Sequence, residues 1–246
     1  DKDSMQPLCK PYVLNAAETI ITKQGFDNAI DEIYSGNAAE KASQIVGENS
    51  VFTELNINEP TADYDYENGA YKYIQTASGL GREDGDMFLH MHTQKTSAAR
   101  GDNNSIILRN NNVYSMSEGE KFVLSFDFYD ASPKTDRISA SYTANDSAAP
   151  TTMFQIKFGQ LYYFDGTYDH AVSYKANEWN TLSYECEYGS YNVTIKLNGE
   201  EIIKTQPITF GKTPLEQLSK LKLTLNSSQS QANDFYIDNL NMEIYY

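Results

Sequence analysis

The chain is 246 residues long, carries a formal net charge of −15 and holds 19 tyrosines against one tryptophan. Such acidity argues against nucleic acid and against an anionic membrane surface, because both contacts need a basic footprint. No apolar run is long enough to span a bilayer, and two cysteines, Cys9 and Cys186, do not make a disulfide framework. The start at Asp1 rather than Met raises the expectation of a removed upstream segment such as a signal peptide.

Residues 1–49 differ in texture from the rest. Phe26, Ile30 and Ile33 recur at helical spacing, as do Ala38, Ala42 and Ile45, and Asn37 followed by Glu40 has the form of a capping box. The spacing predicts a short helical leader, docked on the next domain or acting as a spacer. From Ser50 to the end, residues 50–246, the pattern turns to strands. Candidates are 51–57, 71–76 and 87–93, the last with Phe88, His90 and His92 on one face and Met87, Leu89 and Met91 on the other. A short strand at 106–109 is followed by a predicted turn at Asn110, Asn111 and Asn112. Residues 121–129 alternate most strongly: Phe122, Leu124, Phe126 and Phe128 against Val123, Ser125, Asp127 and Tyr129.

After a strand at 138–143, the stretch 153–204 packs several strands between tight turns. The turn pairs are Gly159-Gln160, Gly189-Ser190 and Asn198-Gly199, since Gly and Asn reach the positive φ that hairpins need. Leu182, Tyr184, Cys186 and Tyr188 share one face, and Tyr191, Val193, Ile195 and Leu197 another, so Cys186 reads as a buried thiol; a Cys9–Cys186 bond is the alternative. Strands at 218–225 and 234–246 close the chain. In the last, Phe235 and Ile237 keep one phase and Leu240, Met242 and Ile244 the other, which predicts a β-bulge near Asp238-Asn239. About a dozen short strands between turns predict an all-β, two-sheet antiparallel sandwich.

The blocks FVLSFDFY (122–129), MFQIKFGQLYYFDG with EWNTLSYECEY and YNVTIKLNGEEI, and the ending FYIDNLNMEIYY carry a likeness. Together they resemble the concanavalin A-like (laminin-G-like) jelly rolls of secreted bacterial carbohydrate-active proteins, carbohydrate-binding modules among them, over about four fifths of the chain. The resemblance implies a jelly roll, an extracellular or cell-surface setting, a neighbouring catalytic module, and Trp179 as a core tryptophan. It also implies a structural calcium served by Asp238.

Sugar recognition stacks aromatic rings on pyranose C–H faces and offers carboxylates or amides to hydroxyls. The candidate lining is His90, His92, Arg109, Asp127, Tyr129, Tyr142, Tyr163, Tyr168 and His170. For calcium, Asp63, Asp65 and Glu67 present alternate carboxylates in one loop, although Gly69 and Ile74 break the EF-hand pattern. No catalytic constellation is complete. Glu185 and Glu187 lack the further in-phase acid of jelly-roll glycosidases. The alginate-lyase Gln-Ile-His strand is matched here by Gln155-Ile156-Lys157, without the His. His90, His92 and Arg109 remain a possible proton-transfer set around an acidic sugar. The expectation is a polysaccharide-binding module without catalysis. The alternatives are a polysaccharide lyase or glycoside hydrolase of the same fold, and a protein-binding adhesion module.

Overall fold

The computed structural model describes residues 54–57, 71–83, 86–94, 104–133, 137–143, 150–164, 169–189, 192–207, 216–225 and 233–245. The leader at 1–49, the loop bearing Asp63, Asp65 and Glu67, Cys9 and Tyr168 lie outside them. The described residues form fourteen strands: β1 (Glu54–Ile57), β2 (Tyr71–Ser78), β3 (Met87–Gln94), β4 (Asn104–Ser115), β5 (Lys121–Asp130), β6 (Arg137–Thr143), β7 (Thr151–Lys157), β8 (Gln160–Phe164), β9 (Asp169–Ser173), β10 (Trp179–Glu187), β11 (Asn192–Leu197), β12 (Glu200–Pro207), β13 (Gln217–Leu225) and β14 (Asn233–Tyr245). All pairings are antiparallel. They make two seven-stranded sheets, ordered β1-β4-β13-β6-β7-β8-β9 and β12-β11-β10-β5-β14-β3-β2. The all-β sandwich expected from the strand pattern is the architecture observed.

Period-two alternation puts the core between the sheets. Phe122, Leu124, Phe126 and Phe128 of β5 are fully buried, while the residues between them are half-exposed. They meet Ile138 and Ala140 of β6, Phe154 and Ile156 of β7, and Leu221 and Leu223 of β13 from the facing sheet. The rings of Phe126 and Phe154 stack across the gap with centroids 6.1 Å apart. Burying side chains of this size stabilises the fold by about 2 to 3 kcal/mol each.

The turns obey their local chemistry. Asn198 (φ 53°) and Gly199 (φ 81°) close the β11–β12 hairpin, as the Asn-Gly pair predicts. The β7–β8 hairpin differs by one residue from the expected Gly159-Gln160. Lys157 pairs with Gln160, so the turn is Phe158 (φ 55°) and Gly159 (φ 74°). The Asn-rich run 110–112 is not a turn between strands. It lies within β4, where the pairing with β13 jumps from Leu218↔Tyr114 to Lys220↔Arg109 and absorbs the extra residues as an irregularity.

The bulge in β14 falls where the phase slip places it. Pairing with β5 shifts between Asp238↔Asp127 and Asn241↔Ser125, and Asn239 takes φ 49°. Its backbone N–H donates to Oδ1 of Asp238 at 2.7 Å, which gives the bulged amide a partner. Ahead of the bulge Phe235 and Ile237 point into the core; beyond it Leu240 does so.

Candidate functional site

The face of β10-β5-β14-β3 turned away from the other sheet carries an unusual set of side chains. Four strands in register bring Trp179, Tyr129, Tyr236 and His90 into one row: Trp179 pairs with Tyr129, Tyr129 with Tyr236, and Tyr236 with His90. At the spacing of neighbouring strands, the row spans about 14 Å. Trp179 and Tyr129 meet at 5.7 Å and 61°, and Tyr129 and Tyr236 at 5.7 Å and 85°. Tyr236 and His90 stack at 4.4 Å and 20°. Phe88, fully buried but outside the inter-sheet core, sits beneath and touches Trp179 edge-on at 5.1 Å and Tyr236 at 5.6 Å.

On one side of this row lies a charged cluster. The next cross-strand row is Thr181, Asp127 and Asp238. Arg82, from the turn between β2 and β3, reaches over it: Nη2 donates to Oδ2 of Asp127 at 2.7 Å and lies 3.1 Å from Oδ2 of Asp238. Its guanidinium also covers the Trp179 ring at 4.1 Å. The same turn accepts the indole N–H at the Leu80 carbonyl, 3.1 Å away. Asp127 further accepts Thr181 Oγ1–H at 2.6 Å and Asn239 Nδ2–H at 2.8 Å. Burial pushes the Asp127 carboxyl up, but the hydrogen bonds from Arg82, Thr181 and Asn239 outweigh it and hold it below the usual range. Asp238 is 2% exposed, and burial pushes its carboxyl up against the Asn239 N–H and the Arg82 charge.

On the other side lies a histidine–aspartate cluster. His90 and His92 stand two apart on β3, and Asp234 of β14 is the register partner of His92. His90 Nε2–H and His92 Nδ1–H both donate to Oδ1 of Asp234, each at 2.7 Å. Burial alone would raise the Asp234 carboxyl, yet these two donors hold it well below the usual carboxylate range.

The sequence-derived lining therefore divides. His90, His92, Asp127 and Tyr129 come together on this face. Tyr142 and Tyr163 belong to the inter-sheet core, and His170 stacks on Tyr163 at 5.2 Å and 12° within the other sheet. Arg109 sits on β4 of that sheet, paired with Glu54 and Lys220, so it is not joined to the two histidines by strand pairing. Asp238, expected as a calcium ligand, lies on the same face, with its Oδ2 3.1 Å from Arg82 Nη2. Glu185 and Glu187 lie further along β10 and share Lys121 at 3.2 and 3.6 Å. Trp179 corrects the reading of a core tryptophan: it lies on the outer face, because Leu182, Tyr184 and Cys186 take the inward phase of β10. The inward neighbour is Asn180, whose amide donates to the Lys175 and Glu178 carbonyls at 2.8 and 2.9 Å. Sequence reasoning missed Arg82, Phe88, Asp234 and Tyr236. The alternation of Asp234, Tyr236 and Asp238 with Phe235 and Ile237 carries a signal for two of these.

Neither a protein-family model nor a curated protein sequence matches the chain. Among solved structures, one segment of a sialidase superposes with a TM-score of 0.55 at 9% identity, covering 78% of this chain and 17% of that one. The fold is a concanavalin A-like jelly roll. This chain thus spans about a sixth of the sialidase it matches. Alginate lyase AlyC3 is similar over 77% of this chain and 96% of its own, with a TM-score of 0.47 and 9% identity. The binding domain of Botulinum Neurotoxin DC, in complex with SialylT, is similar over 73% of this chain and 44% of its own, at 0.44 and 14%. At such identities the likeness concerns the jelly roll, not the chemistry on its faces.

Proposed function

We propose that the protein binds an oligosaccharide or polysaccharide along the Trp179–Tyr129–Tyr236–His90 row, without cleaving it. The observation that carries this reading is the row itself. The rings of Trp179, Tyr129 and Tyr236 are half-buried and fixed in register on three strands, the buried His90 ends the row on the fourth, and carboxylates lie on both sides. A rigid sheet presents rings at little entropic cost, and a row about 14 Å long suits a short stretch of sugar chain better than one small molecule. Asp127 is held ionised by its donors, and Asp234 by the imidazoles, so both can accept from sugar hydroxyls. The net charge of −15 disfavours a strongly anionic glycan.

The setting is extracellular or cell-surface, and the jelly roll works beside a catalytic module. The sialidase match supports this in one respect, since there a segment of the same fold is a small part of a longer chain. A structural calcium held by Asp63, Asp65 and Glu67, or served by Asp238, completes the proposal; raised thermal stability on adding calcium, lost in D63N or D238N, tests it.

A glycan array and affinity electrophoresis on plant and microbial polysaccharides test the binding. Retention on at least one glycan is expected, weakened at least tenfold by Trp179→Ala and by Tyr129→Ala. Failure to be retained on any glycan overturns the reading. Release of unsaturated or reducing sugars would replace binding by cleavage, and capture of a protein partner without glycan competition would replace it by adhesion.

A further inference from the structure

The cluster beside the aromatic row has a second chemistry. His90, His92 and Asp234 each offer one ligand atom, an imidazole nitrogen or a carboxylate oxygen, and these atoms all lie within 4.8 Å of one another. We infer that His90, His92 and Asp234 form a binding site for a divalent transition-metal ion, with zinc the best fit. This does not rest on the sugar-binding reading.

The geometry follows from strand physics. Residues two apart on β3 project to the same face, and the register partner of His92 on β14 projects beside them. Three donors on two hydrogen-bonded strands are thus fixed as a triangle by the backbone, not by flexible loops. A tetrahedral zinc ion with bonds of 2.0 to 2.1 Å needs donors about 3.3 Å apart. The two imidazole nitrogens each stand 2.7 Å from Asp234 Oδ1. Lengthening those two edges takes a retreat of that oxygen by less than about 1 Å, and the third edge, between the two imidazole nitrogens, settles to the same spacing by small ring rotations when the ion enters.

The donor set selects the metal. Two imidazoles and one carboxylate suit zinc and its first-row neighbours; calcium and magnesium prefer shells made of oxygen. Each imidazole would present a lone pair where it now donates, by carrying its proton on the other nitrogen. The carboxylate supplies negative charge, and the overall charge of −15 favours a cation further. His92 is 5% exposed at its side chain and His90 11%, whereas Asp234 is 28% exposed. Two ligands are therefore shielded from water and the third faces it. That arrangement leaves a fourth position for water or an outside ligand, beside the ring of Tyr236 that stacks on His90.

The test exploits the histidine count. The chain contains three histidines, so His170→Gln leaves only the two proposed ligands. The full chain, stripped with a chelator, is titrated with zinc by calorimetry and with cobalt(II) by visible absorption. One equivalent is expected, with an absorption of tetrahedral intensity. His170→Gln should bind as the parent does, while His90→Gln, His92→Gln and Asp234→Asn should each weaken binding at least tenfold. Because a ligand variant can also disturb folding, the parent protein is observed by NMR of its imidazoles. Zinc should shift two of the three histidine ring systems and leave the third. No stoichiometric uptake, uptake retained in the His90→Gln/His92→Gln double variant, or perturbation of His170 alone would each overturn the assignment. A protein that takes up zinc but is retained on no glycan keeps this site and loses the sugar-binding reading. One retained on a glycan without taking up zinc does the reverse.

Discussion

Arg82→Ala offers the most direct probe of the outer face. In the native protein one guanidinium nitrogen serves Asp127 at 2.7 Å and Asp238 at 3.1 Å, and the same group covers Trp179. Removing one partner of a fully buried ion pair costs about 3 to 5 kcal/mol, because the remaining charge is left uncompensated. Here Arg82 is 20% exposed and Asp127 16%, so water screens part of the loss; Asp238, at 2%, is not relieved in that way. A cost of about 2 kcal/mol for the charges, with about 0.5 to 1 kcal/mol for the cation–π contact, gives roughly 3 kcal/mol near pH 7. The sign of the pH dependence follows. Without Arg82, two neighbouring carboxylates repel, and the buried Asp238, already raised, rises further in the folded variant. A carboxyl raised in the folded state stabilises below its folded pKa and loses that contribution as pH rises through it. The variant should therefore lose least in acid. Asp127 acts oppositely in the parent: its depressed carboxyl contributes stability above the unfolded value that is lost as pH falls through the folded one. The Asp238 effect narrows the gap between parent and variant as pH falls from 7 towards 4, and the Asp127 effect adds to it only below about 4, the usual carboxylate value. Urea unfolding of the two proteins across that range measures it. A loss under about 0.5 kcal/mol at pH 7, or one that is constant with pH, would refute the account.

Other expectations concern the scaffold. Phe128 is fully buried, lies parallel to Phe235 at 5.7 Å and meets Tyr174 edge-on at 5.2 Å, so Phe128→Ala should cost about 3 to 5 kcal/mol by urea unfolding; under 1 kcal/mol would mean this part of the core is not packed as described. Burial, with Glu187 and Glu185 nearby, pushes the Cys186 thiol up to about 12. Its labelling by iodoacetamide at pH 8, followed by mass mapping, should proceed only after unfolding; rapid labelling of the native protein contradicts this. Phe158 is 63% exposed in the left-handed region at the β7–β8 turn, where Asn sits with less strain. Phe158→Asn should raise stability by about 1 kcal/mol, and a drop in melting temperature would argue against strain there.

Much of this was legible in the residues themselves. The inward and outward phases of β5, β10 and β11 follow from alternation, as do the Asn198-Gly199 hairpin and the slip at Asp238-Asn239. Extended two positions back from the outward Thr181, the same arithmetic sends Trp179 outward, which the core reading implied by the family resemblance passed over. Alternation also sends Tyr142 inward with Ile138 and Ala140, so its place in the core was there to be read. The Asn-rich run misled because residues favoured in turns also fit a strand irregularity.

By itself the sequence determined which side of its own strand each residue takes, because period two is a property of the local backbone. Which strands become neighbours was decided only in the tertiary structure. Strand β14 enters between β5 and β3, more than a hundred residues away along the chain, and thereby sets Tyr236 between Tyr129 and His90 and puts Asp234 opposite His92. Nothing local in Asp234 or Tyr236 encodes those partners. They are chosen by the burial of Phe235, Ile237 and Leu240 against the facing sheet, a long-range packing choice that carries the polar residues of the opposite face with it.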